Sequence, residues 1–240
     1  MNEYKKTLDE VFYSRDFLMK SLPKFVNKLK ALNFKIPYKF VKFYYDNQAI
    51  TQIFRPPHHE REREYKPILS FQPFAMVYMD TMYVTYPNQT LAIVTLVDLF
   101  SKYGDARVIP IRAGSKNISS ESSKVAFEKM LADIDKLGYD VESVYTDNGN
   151  EFSKNFDKYL ADQKVNHIYG QPDDKRMTSP IERFNSTLRL SIEKYKMTYG
   201  RITQKSIVDI VRAYNTSSHS IEYTPLDILK DSKIQNIVRN

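Results

Sequence analysis

The stretch VYTDNGNEF, residues 144–152, runs from β-forming residues straight into an acid. Val144, Tyr145 and Thr146 read as the end of a buried strand, and Asn148-Gly149 as a tight turn. Asp147 stands at the junction, and Glu151 follows the turn. Such a carboxylate has two readings. It can be an ordinary turn residue. It can also be one member of a metal site whose other acids come from elsewhere in the chain, because ligands collect at the carboxyl ends of strands in open α/β sheets.

Working upstream, residues 74–84 (FAMVYMDTMYV) and 90–100 (TLAIVTLVDLF) are β-rich and separated by a turn with Pro87 and Asn88. Residues 103–111 read as a third strand, so a short-connected antiparallel meander is predicted. A helix follows over 119–138, with a serine-rich start and Gly138 as its stop. Downstream come a strand (141–146), a helix (153–163), a strand (165–170) and a long helix (179–200). Three strands followed by alternating helices and strands predict an α/β fold, a ribonuclease H-like mixed five-stranded sheet flanked by helices.

The front end differs. Thr7 and Glu10 form a capping-box pattern, predicting a helix from there to about Lys20. Pro23 breaks it, and residues 24–32 place Phe25, Leu29 and Leu32 at helical spacing. Pro37 suits the first turn of another helix. The predicted division is a small helical N-terminal domain (1–49), a linker (50–73) rich in proline and alternating charge, and a core with C-terminal helices (74–240). Lys35, Lys39 and Lys42 on the second of two short helices fit a helix-turn-helix that reads DNA; a plain helical cap fits equally.

Composition narrows the classes. The net charge is +7, and residues 1–70 carry 14 basic against 8 acidic residues, which points to a polyanionic partner such as nucleic acid. There is no cysteine, so disulfides and thiolate zinc sites are excluded. His58 and His59 lie in a charged linker, and no zinc is expected. No apolar run approaches the length of a membrane span, and the start lacks the apolar core of a signal peptide, so an intracellular protein is expected.

Two further acids join Asp147. Asp80 interrupts an apolar strand, where a charge is costly unless paired or metal-bound. Glu182 sits in Ser179-Pro180-Ile181-Glu182, which is also a good capping box. Helical spacing gives Ile181, Phe184, Leu188, Ile192 and Tyr195 as an apolar stripe, and Glu182, Asn185, Arg189 and Lys196 as a polar stripe beside it. Asp98 is a weaker candidate, since antiparallel order puts it away from Asp147. Glu151 is expected to orient the turn, and His167 reads as a core or edge histidine.

Asp80, Asp147 and Glu182 in these contexts resemble the D,D-E triad of retroviral-type integrases and related transposases. TDNGNEF resembles the family's Thr-Asp-Asn-Gly-x-Glu-Phe sequence, and SPIERFNSTLR its Glu-Arg-Phe-Asn helix. VTLVDLFSKYGDARVI resembles its second and third strands, and residues 213–229 its closing stretch, where Tyr-Asn and a later His precede Thr-Pro. The helical front end looks most like integrases of Maverick/Polinton elements and virophages. The chain departs from the retroviral pattern in lacking the zinc module, and no basic tail follows Asn240.

The resemblance implies an integrase that processes the 3′ ends of element or viral DNA and joins them to target DNA. It implies two Mg²⁺ or Mn²⁺ ions, with Asp80 bridging both, Asp147 holding one and Glu182 the other. Asn185, Arg189, Lys175 and Arg176 would lie near DNA. Double-stranded DNA and a second copy of the chain are the implied partners, and the virion or host nucleus the implied place of action. A nuclease that only hydrolyses nucleic acid and an inert DNA-binding or assembly protein are the competing readings; joining of strands separates the first, and absence of metal binding the second.

Overall fold

The structure, a computed structural model, describes residues 2–54, 69–86, 89–109, 111, 117–170, 179–219 and 222–239. The chain forms two compact units. One comprises Met1–Glu64 with Leu188–Ala213, the other Tyr65–Thr187 with Tyr214–Asn240. In the first unit a late segment, Leu188–Ala213, packs with the front end.

In the first unit, α1 (Asn2–Phe12) begins before the predicted start at Thr7 and ends well before Lys20. Tyr4, Leu8 and Phe12 explain the early start: their four-residue spacing lays one apolar stripe into the unit's core. The early end has its own cause. Phe17, Leu18 and Met19 are consecutive and all buried, which one helical face cannot achieve. Leu18 and Met19 turn through positive φ instead. Next come α2 (Leu22–Ala31) with Pro23 in its first turn, and α3 (Tyr38–Asp46) capped by Pro37. A short α4 (Ala49–Ile53) occupies the first residues of the expected linker. Phe12, Phe25, Val41 and Tyr44 form the centre of this core, whereas Leu32, expected on the same stripe, is exposed. Lys194 donates to the Met19 carbonyl at 2.7 Å, Thr198 contacts the Met19 sulfur at 3.2 Å, and Tyr199 donates to the Tyr13 carbonyl. His58 and His59 lie outside the described residues.

The second unit is built on a five-stranded sheet in the order β3-β2-β1-β4-β5. Its strands are β1 (Val77–Tyr86), β2 (Gln89–Asp98), β3 (Gly104–Ile109), β4 (Ser143–Thr146) and β5 (Asn166–Tyr169). The first three pair antiparallel, and β4 and β5 join parallel. This is the predicted mixed sheet. The helices α5 (Ser120–Asp135) and α6 (Asn155–Asp162) bring Phe127, Met130, Phe156 and Leu160 into a core with Val77, Met79 and Val144. Ser119 caps α5 by accepting from the Ser122 amide, and Gly138 follows at φ 82°, a conformation that favours glycine. The long α7 spans Ser179–Tyr199, and its predicted apolar positions from Ile181 to Tyr195 are buried. After it come α8 (Gln204–Asn215), α9 (Pro225–Lys230) and α10 (Ser232–Arg239).

The closing stretch is structural. Asn215 is buried and uses both amide atoms on Gly104, accepting from its N–H at 2.9 Å and donating to its carbonyl at 2.8 Å. Phe184 packs tightly against Gly104: a β-carbon there would sit 2.3 Å from the ring. Tyr214 meets Phe184 edge-on at 4.8 Å and stacks on His219 at 4.0 Å. Thr224 and Asp227 make a complete capping box around Pro225 in α9.

Asp105 supplies a pH prediction. Its buried carboxylate shares the Arg107 guanidinium, at 2.7 Å, with Asp133 at 2.6 Å. Burial pushes Asp105 up to about 6 against the pull of Arg107, while Lys136 and Arg107 hold the exposed Asp133 below the usual range. Between the unfolded value near ~4 and that raised value, the native chain holds more proton than the unfolded chain. Stability therefore falls as pH rises through about 4 to 6 and is level in this respect above that window. Asp105→Asn is expected to flatten this component, read as a smaller change in Tm between pH 4 and 7 than in the wild type.

Candidate active site

The parallel pairing of β1 with β4 sets the geometry. Val77 lies opposite Val144 and Tyr78 opposite Tyr145, and the same register carried three residues further puts Asp80 opposite Asp147. But β4 ends at Thr146 while β1 continues to Tyr86. The sheet therefore opens a notch beside Asp80, with Asp147 at its lip.

Asp80 is half-buried. It accepts from the Thr81 amide at 2.7 Å and from the Asn185 side chain of α7 at 2.7 Å. Burial pushes its carboxyl up to about 6, and the charges of Asp147 and Glu151 push in the same direction, against the two hydrogen bonds. Asn185 is buried, and its Oδ1 has no hydrogen-bond partner among the described residues.

Asp147 is exposed and folds back so that Oδ1 accepts from the Gly149 amide at 2.9 Å. Asn148 ties the turn to the Gly170 carbonyl at 3.1 Å. Glu151, in a short 3₁₀ turn, leans over Gly149. A β-carbon on Gly149 would meet a Glu151 oxygen at 2.6 Å and an Asp147 oxygen at 2.9 Å, which marks how closely the two carboxylates crowd the turn. Glu151 is thus more than a turn residue, since its charge reaches Asp80 and Tyr83.

Glu182 is exposed in the first turn of α7, one turn before Asn185 and on the same stripe. Among the described residues, no three His, Asp or Glu side chains stand close enough to enclose one metal ion. The structure brings Asp80, Asp147 and Glu151 into mutual influence and Asn185 onto Asp80, but does not gather Glu182 with them. The side chain of Ser179, expected to cap α7, lies outside the described residues. Asp98 is not available as a ligand. It is completely buried and accepts from the Phe74 amide at 3.0 Å, the Ser101 amide at 2.7 Å and the Ser101 hydroxyl at 2.6 Å.

The other predicted residues are scattered. Lys35, Lys39 and Lys42 are exposed among exposed Phe34, Tyr38 and Phe43. Lys42 pairs with Asp46, and Lys39 lies 5.1 Å over the Phe40 ring. Arg189 is exposed on α7. Lys175 and Arg176 lie outside the described residues. No helix among the described residues is long and apolar enough to cross a membrane.

Carboxylate oxygens such as those of Asp80 and Asp147 suit a hard divalent cation. Burial first, and then the charge of Asp147, raise Asp80, and a cation beside it would favour the charged carboxylate against both.

Comparison with known proteins agrees with this architecture. Residues 71–175 match the family described as Integrase core domain. The HTLV-2 integrase catalytic core domain in complex with magnesium is 19% identical, with a TM-score of 0.53, over 65% of this chain and 97% of that one. The simian T-cell lymphotropic virus intasome in complex with the PP2A regulatory subunit B56 gamma is 17% identical, with a TM-score of 0.59, over 85% of this chain and 71% of that one. The catalytic core domain of BIV integrase is 17% identical, with a TM-score of 0.53, over 68% and 99% of the two chains. A comparison with curated proteins found no match. The sheet and its flanking helices thus have the ribonuclease H-like fold of retroviral integrase cores, and residues 71–175 are similar in sequence to the integrase core domain.

Proposed function

We propose that this chain is an integrase that processes the 3′ ends of element or viral DNA and joins them to target DNA. One observation carries the reading: Asp80 and Asp147 end up side by side at the break in a parallel strand pair, with Asn185 of α7 bonded to Asp80. Asp80, Asp147 and Glu182 would hold two Mg²⁺ or Mn²⁺ ions, which when bound neutralise charge at the phosphate and activate the attacking oxygen. Glu182, one turn before Asn185, would reach the same site as the first turn of α7 closes on it. Magnesium in the HTLV-2 catalytic core supports the choice of ion.

The chain's own residues supply position. Asn185 fixes the rotamer of Asp80, and Gly149 leaves room for the turn carboxylate and a phosphate. Water attacks the phosphodiester near the element's end, so that one P–O bond forms as another breaks and a 3′ hydroxyl is released. That hydroxyl then attacks a phosphodiester of the target, with strand exchange at phosphorus. Lys175, Arg176 and Arg189 would contact DNA phosphates. The helical front end supports a source among Maverick/Polinton elements or virophages, acting in the virion or host nucleus. Dimeric and trimeric forms of the HTLV-2 core support a homo-oligomer.

The test is a labelled duplex carrying the element's end, incubated with plasmid and Mg²⁺ or Mn²⁺. Labelled plasmid is expected. Cleavage without joining would instead make this a nuclease.

The basic aromatic surface of α3 and of the turn before it, which holds Lys35, gives a separate prediction. If Lys35, Lys39 and Lys42 each meet a phosphate, the triple alanine variant flattens the slope of log K against log salt by about 2.7, at ~0.9 per contact on duplex DNA. An unchanged slope would place that face away from DNA.

A further inference from the structure

Behind the turn that carries Asp147 runs a continuous chain of side-chain hydrogen bonds. Asp157 of α6 bonds His167 Nδ1 at 2.6 Å. His167 Nε2 meets the Thr146 hydroxyl at 2.9 Å. That hydroxyl donates to the Asp147 carbonyl at 2.8 Å. Tyr169 adds its hydroxyl to both Asp157 oxygens at 2.7 Å. Phe156 packs edge-on against the imidazole, with ring centres 5.5 Å apart. Geometrically this is the order of an acid-histidine-hydroxyl triad, but Thr146 is completely buried, so its hydroxyl cannot meet a substrate.

We propose that Thr146 and His167 are positioning residues that hold the Asp147 carboxylate in place for metal. The inference rests on the assignment of Asp147 as a metal carboxylate. Three independent ties converge on one short turn: the Thr146 hydroxyl on the Asp147 carbonyl, the Gly149 amide on the Asp147 carboxylate, and Asn148 on Gly170. An exposed aspartate on an untethered turn would lose conformational freedom on binding a cation, and a preordered one does not. Proton accounting shows why the histidine matters. The Thr146 hydroxyl has one proton and two neighbours. The Asp157 carboxylate requires a proton on Nδ1. Asp157 thus fixes the ring, and the ring holds the hydroxyl that donates to the Asp147 carbonyl.

The test is Mn²⁺ affinity of the full chain by calorimetry, with Tm measured alongside. Thr146→Val, which keeps shape and removes the hydroxyl, is expected to weaken Mn²⁺ binding about 10-fold or more. Thr146→Ser is expected to restore it. Asp157→Asn, at a partly exposed position that tolerates change, should weaken binding several-fold and serves as the second variant where Thr146→Val does not fold. Wild-type affinity in a folded Thr146→Val or in Asp157→Asn overturns the proposal. Wild-type affinity in Asp147→Asn is a different failure: it removes the carboxylate assignment itself.

Discussion

Asp147→Asn is expected to abolish strand joining, a loss of at least about 10³-fold, while fold and DNA affinity stay at wild-type levels. The size follows from removing a charged ligand from ions that contribute several kcal/mol to the transition state. The specificity follows from the turn. Asparagine keeps an oxygen for the Gly149 amide, so the bond that shapes the loop survives. Asp147 is exposed, so nothing in the core changes. The measurement pairs a gel assay of donor joining with DNA binding by anisotropy and a thermal melt. Joining at the wild-type rate by a purified, folded variant would end the assignment.

Asn215→Ala should destabilise the protein by about 3 kcal/mol, because it strands a buried N–H and a buried carbonyl of Gly104 at once. For a chain of this size that is roughly a 6–12 °C fall in Tm. Water has little access, since Phe184 covers the glycine and Asn215 is itself buried. The Tyr-Asn pair thus reads as architecture: its amide fastens the end of α8 to the start of β3. Urea unfolding gives the number directly, and a loss below about 1 kcal/mol would show that the glycine finds other partners.

The sheet was legible because its information is local. Strand runs, the Asn148-Gly149 turn and the serine-rich start of α5 each act within a few residues. The approach of Asp80 to Asp147 was legible only conditionally, on β1 and β4 being neighbours, which they are. What escaped was long-range. The capping pattern at Thr7 is real, yet Tyr4 and Leu8 outweigh it by burying an earlier turn. Asn185 sat on a polar stripe expected to lie near DNA, and spacing did not reveal that its amide is buried against Asp80. Burial on one side of a helix depends on what packs there, and spacing alone does not say. Glu151 was visible as an acid, and only the tightness at Gly149 reveals how near it comes to Asp147.

The helices at the front of the chain share a core with a segment more than a hundred residues later. Met19 is gripped by Lys194 and Thr198, and Tyr13 by Tyr199. They are therefore not a detachable cassette. Recombination that swapped the first 64 residues for another chain's front end would orphan the surface of residues 188–213 that packs with it, unless that later segment travelled with it. Variation in this unit should then accumulate by paired substitutions in the front helices and in the late segment, not by exchange of whole modules.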